Sequence, residues 1–144
     1  MKAMLLRIGI DTINGGIVAP LFKDGSFEYI PILEVKDSLE TKNYDPFKKY
    51  VPNDKFKKGI PYKDAIIHDD PNFEEMSYGD PRNKGGKLLD LRKDDYLIFW
   101  EAFYPFVENY PSNRFKDIEE IQKSKRIMAV IGYFKLIEDP IKCL

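Results

Sequence analysis

The sequence predicts an α+β fold with a mostly antiparallel, curved sheet, or a small β-barrel, carrying one or two short helices. Three observations lead there. The runs at 3–10, 96–103 and 126–137 have the β-branched and ring content of strands, whereas helical spacing is clear only over 114–125. Strands outnumber helices and do not alternate with them, which separates α+β from α/β patterns. Aromatic residues make up 14% of the chain, enough to fill a β-rich core or to stack on bases and sugars. With 144 residues and 43% hydrophobic content, one domain with its own core is expected.

The elements follow in order. Residues 3–10 read as a buried strand that opens into a loop at 11–19 holding Gly15 and Gly16. Lys23-Asp24-Gly25-Ser26 is an Asp-Gly turn between apolar flanks, which predicts a hairpin; Phe27, Tyr29 and Pro31 mark an edge strand. Residues 34–64 hold neither period and read as a surface excursion with one short helix near Pro46–Tyr50. Their mix of lysines and rings suits contact with a polyanion. It suits a solvated loop better, because aspartates dilute the positive field.

A short apolar run, Ala65-Ile66-Ile67, ends in His68-Asp69-Asp70-Pro71. A flexible glycine turn is expected at 84–87 and a charged turn at Arg92-Lys93-Asp94-Asp95. Tyr96–Phe103 is the strongest strand by branching and ring content. In the helix at 114–125, Phe115, Ile118 and Ile121 form the apolar stripe and Asn113 is placed to cap it. Residues 126–137 read as a long buried strand.

Charge and cysteine content narrow the class. The 23 basic and 24 acidic residues leave a formal net charge of -1, so bulk charge gives no drive toward nonspecific nucleic-acid binding. Cys143 stands alone, which rules out an internal disulfide and a cysteine-pair metal site. No apolar run is long enough for a signal or a membrane span. A soluble, cytoplasmic protein without a membrane partner is expected. No sequence signature names a cofactor or an oligomeric state.

Two groups of residues could carry chemistry. Arg7, Asp11, Asn14, Gly15 and Gly16 lie within ten positions where a strand opens into a glycine turn. They make either an anion or nucleotide cradle, or a structural turn with local caps. The spacing is not that of a Rossmann or P-loop fingerprint. Arg7, inside an apolar strand, calls for a carboxylate partner such as Asp11 or Asp70.

His68 is the single histidine, so imidazole chemistry must use it. His68 and Asp70, two apart, share a face if the segment is extended. With Asp11 they would supply a catalytic acid/base set, a hard-metal site, or a hydrogen-bonded turn. No second His or Cys ligand supports zinc, and no metal ligand is assigned. Tyr78, Gly79 and Asp80 would form a second rim or an ordinary turn. Strand alternation sends Phe99 and Phe103 to one side and Trp100 to the other, where Trp100 would face a pocket. Glu101 is a further carboxylate with no evident partner.

These segments resemble the third type of nucleotide-modification-associated domain, a family of archaea, bacteria and phages. The likeness rests on Arg7–Asp11 with Asn14-Gly15-Gly16, on Pro20 with Asp24-Gly25 and Ile30-Pro31-Ile32, and on His68-Asp69-Asp70-Pro71 as a His-x-Asp-Pro pattern. It continues in Asp94–Trp100 and Ile131–Phe134, and Tyr78-Gly79-Asp80 is similar to archaeal members. It covers the chain to about residue 137. Asp94-Asp95 stands where many members carry Gly-Asp, and members tend to be longer, so a C-terminal portion is expected to be missing.

The order of charged turn, strong strand, helix and Ile-Gly-Tyr strand also looks like the small PUA/EVE/YTH barrels, which read modified bases and RNA. The resemblance implies a nucleotide- or modified-base-associated protein with one polar pocket, acting in nucleic-acid base modification. The alternative is a PUA-like module that binds nucleic acid or a modified base without chemistry. Nucleotide or nucleic acid is the implied partner.

Overall fold

A computed structural model describes residues 1–10, 19–33, 43–50, 60–61, 64–68, 70–79, 85–105 and 126–142. The strands among them are β1 (Ala3–Arg7), β2 (Ala19–Leu21), β3 (Tyr96–Pro105) and β4 (Ile127–Lys135). A 3-10 helix spans Asp45–Tyr50, where a short helix is expected, and one α-helical turn, α1, spans Gly85–Leu88. The predicted helix at 114–125 lies outside the described residues.

β3 is the common partner of the other three strands. β1 pairs with its first half in parallel, from Ala3 opposite Tyr96 to Arg7 opposite Trp100. β2 pairs with its second half, also in parallel, from Ala19 opposite Phe103 to Leu21 opposite Pro105. β4 pairs with β3 as well. The Leu136 N–H donates to the Asp95 carbonyl at 2.9 Å, and the Asp94 N–H donates to the Leu136 carbonyl at 2.8 Å. The end of β4 therefore lies beside the start of β3.

This corrects the expected fold class. The sheet is open and parallel across β1, β2 and β3; it is neither mostly antiparallel nor a PUA/EVE-like barrel. The physical reason is that strand direction depends on which end of the sheet the chain re-enters. A parallel pair needs a crossover, commonly a helix, and the absence of strand–helix alternation was the ground for expecting antiparallel pairing. Between β2 and β3 the described crossover instead holds turns, short helical pieces and isolated bridges such as Leu33–Ile67 and Asn43–Ile66.

The chain forms two compact units. The first comprises Met1–Ile8, Asp70–Glu101 and Val130–Leu144. Its core is built on Phe99, whose ring centroid lies 4.8 Å from Phe134, 5.6 Å from Phe73 and 5.6 Å from Tyr78. Edge and tilted contacts of this kind suit the ring quadrupole. Leu6, Leu91 and Leu97 are buried with them.

Asp95 ties this unit together. Its carboxylate accepts the Lys2 N–H at 2.5 Å and the Arg92 N–H at 2.9 Å, while its own N–H bonds back to the Arg92 carbonyl. The Lys2 and Arg92 backbone donors hold its carboxyl below the usual carboxylate range.

The second unit comprises Gly9–Asp69 and Ala102–Ala129. Ile10, Ala19, Ile30, Tyr44 and Phe103 are buried in it, and the Tyr44 hydroxyl donates to the Pro31 carbonyl at 2.9 Å. Gly9 has φ near 80°, a left-handed conformation that glycine takes without strain where the chain leaves β1. The Asp-Gly turn is present, but the edge strand expected at Phe27–Pro31 is reduced to an isolated bridge. Leu21 bridges Phe27, Gly25 has φ near 87°, and the Asp24 carboxylate accepts the Ser26 N–H and hydroxyl.

Two smaller expectations also change. The last strand is not a buried one: Met128 is 71% exposed and Val130 61%, and only Phe134 of β4 is buried. An apolar run marks a strand but does not say whether neighbours arrive to cover both faces. The glycines at 85–86 begin a helical turn instead of a flexible loop.

Asp94 explains a departure noted in the sequence. It has φ near 70°, a region where glycine is free of the Cβ penalty and Asp is tolerated. A glycine there is the less strained choice. Lys135 pairs with Asp94 at 2.6 Å, but both side chains are largely exposed, and such pairs are worth roughly 0–1 kcal/mol. Asp94→Gly is therefore expected to leave stability unchanged or raise it by up to about 1 kcal/mol. Asp94→Val should lower it by about 1–2 kcal/mol. Urea unfolding of the three proteins checks this, and a large loss in the glycine variant would disprove the conformational account.

Candidate functional site

The β1–β3 pairing generates the site on the first unit. Registered residues of a parallel pair point to the same face, so Arg7 opposite Trp100 places cation and ring together. The Arg7 guanidinium carbon lies 5.6 Å from the Trp100 ring centroid, within cation–π range. Arg7 is exposed and Trp100 half-buried. The expected alternation holds here: Leu97, Phe99 and Phe103 point into the core and Trp100 to the opposite face.

A second feature is the turn at 70–79. Asn72 and Ser77 exchange backbone hydrogen bonds at 2.9 and 3.1 Å. The Asn72 side-chain oxygen accepts the N–H groups of Glu74 and Glu75. Outside this, the Gly79 N–H donates to both Asp70 carboxylate oxygens, at 3.0 and 3.2 Å. The clasp sets Tyr78 against Phe99. Asp70 and Gly79 thus have an observed structural role in presenting Tyr78.

The structure brings Arg7, Asp70, Tyr78, Gly79 and Trp100 into one unit. His68 belongs to the other, where its backbone N–H donates to the Ile32 carbonyl at 3.0 Å. Asp69, between His68 and Asp70, lies outside the described residues, as do Asp11, Asn14, Gly15, Gly16 and Asp80.

Glu101 is the residue that sequence reasoning noted but did not place in the site. Its position two residues after Phe99 puts it on the core face of β3. It is 1% exposed, and neither carboxyl oxygen has a hydrogen-bond partner among the described residues. Burial pushes its carboxyl up to about 9, against a smaller opposing pull from Arg7. At neutral pH it is therefore a neutral acid with one donor and one acceptor. The sequence signal was a lone acid inside an apolar-aromatic strand.

The family model for nucleotide modification associated domain 3 matches residues 2–143. The chain belongs to that family. The likeness read from Arg7–Asp11, His68–Pro71 and the β3 segment is therefore borne out, and it extends over nearly the whole chain. No curated protein and no solved structure matches it. The family's description associates its members with nucleotide modification. Among the described residues no helix is long and apolar enough to cross a membrane.

The Glu101 carboxyl has a consequence for stability. Its ordinary value is 4.5 and its folded value about 9. Between those values the unfolded chain releases the proton while the folded protein keeps it. Stability from this group is thus full below about pH 4.5 and declines as pH rises toward 9. Glu101→Gln keeps the neutral shape and cannot titrate. At pH 8 it is expected to be more stable than the parent by up to about 5 kcal/mol, with the gap closing toward pH 5. Denaturant unfolding at the two pH values measures it, and an equal gap at both would refute the buried-acid account.

Proposed function

We propose that this protein binds a nucleotide as part of nucleic-acid base modification, with Arg7 and Trp100 as the principal contact. The observation that carries the reading is the exposed guanidinium laid over a half-buried indole. A guanidinium plane backed by a ring can stack a base, and its N–H groups can also pair with phosphate. The family's association with nucleotide modification supplies the ligand class. Asn14, Gly15, Gly16 and Asp80 are carried from the sequence alone as candidate ligand contacts. His68, Asp70 and Asp11 are likewise carried from the sequence as the candidate acid/base residues.

A non-catalytic nucleic-acid reader is the second reading. The observation on its side is Lys49 over the Tyr50 ring at 4.8 Å, beside Lys48 on the 3-10 helix. Lys49 also pairs with Glu28 at 3.8 Å, which neutralises part of that charge.

Titrating the protein with nucleoside monophosphates and short single strands tests the contact. Trp100→Ala should weaken binding by about tenfold or more, the range of one lost base stack. Arg7→Gln should weaken it too and flatten its salt dependence. Unchanged affinity in both variants would end the proposal. His68→Ala and Asp11→Ala should keep the melting temperature and lose conversion of the base, followed as a mass change in digested DNA. Binding without any mass change would favour the reader.

A further inference from the structure

Glu101 has no part in the contact just described. Arg7 and Trp100 occupy one face of the β1–β3 pair and Glu101 the other. On that face its neighbour two residues back is Phe99, about 7 Å along the strand. Phe99 is packed against Phe73 and Tyr78, with ring centroids 5.6 Å from each. Phe73 is 37% exposed and Tyr78 half-buried, so the ring cluster reaches the surface. A patch of rings thus shares the strand face of a buried carboxyl group, two residues along β3, that has no hydrogen-bond partner among the described residues.

Leaving both oxygens of a buried acid unpaired costs stability, and folded proteins keep few such groups. A well-packed apolar residue would serve the core better. The unpaired acid is explained if a ligand completes its hydrogen bonds.

We propose that Glu101 and the rings of Phe73, Tyr78 and Phe99 form a binding site for a planar nitrogen heterocycle of the nucleobase class. The rings cover the face of the heterocycle, and the carboxyl group reads its edge. A neutral carboxyl presents an O–H donor beside a carbonyl acceptor. That pair complements the amino and ring-nitrogen edge of adenine or cytosine, and the N–H and carbonyl edge of guanine or uracil. Phe73 is the outer ring of the site. The ligand class rests on the nucleotide-binding reading above, but the residues are separate from Arg7 and Trp100.

The test uses the four free nucleobases as probes, with Glu101→Gln and Glu101→Leu in the full chain. Glu101→Gln keeps one donor and one acceptor and should retain binding. Glu101→Leu should fold with equal or greater stability and lose affinity by about tenfold or more, the discrimination expected of a paired edge contact. With cytosine, whose own edge does not ionise in this range, parent affinity should also fall above about pH 9, where the acid ionises, and affinity of the Gln variant should not.

Equal affinity of the Leu variant and the parent overturns the inference. If mononucleotides bind through Arg7 and Trp100 while free bases do not, this inference fails and the nucleotide reading stands. If free bases bind through Glu101 and the Arg7 and Trp100 variants change nothing, the inference stands and that contact fails.

Discussion

One strand carries the described sheet. β3 hydrogen-bonds with β1 along its first half and β2 along its second, and β4 pairs with it as well. Its backbone groups are satisfied only if those strands stay in register, so its side chains are determined on both faces. Leu97, Phe99 and Phe103 fill one side, and Trp100 is left on the other. Each functional feature proposed for the molecule is a consequence of that register: Arg7 meets Trp100 because it pairs with it, and Glu101 is buried because it follows Phe99.

The start of β3 is fixed by chemistry around two aspartates with different tasks. Asp95 gathers the N–H groups of Lys2 and Arg92, which joins the chain's first residues to the turn before β3. Asp94 supplies the left-handed residue that the turn requires. Here glycine's freedom is replaced by the modest tolerance of Asp for positive φ.

Burial and pairing separate the two acids proposed to matter in the first unit. Asp70 accepts the Gly79 N–H on both of its oxygens, and its presentation of Tyr78 follows from that clasp. Glu101 accepts none among the described residues and is held neutral by its apolar surroundings. A paired acid explains itself structurally; an unpaired one asks for a ligand.

Much was legible without coordinates. The strand at 96–103, the Asp-Gly turn and the short helix at 46–50 were readable because ring content, turn chemistry and proline placement are local properties. Family membership was legible from Arg7–Asp11 and His68–Pro71 for the same reason: motifs are contiguous. Strand direction, the exposure of β4 and the isolation of Glu101 were not. Each depends on which distant segment arrives beside a given residue, and that is a property of the chain's return path. Period and composition told which residues build strands; only tertiary structure decided that β1 and β2 run parallel to β3, and that the acid at 101 is buried with no hydrogen-bond partner among the described residues.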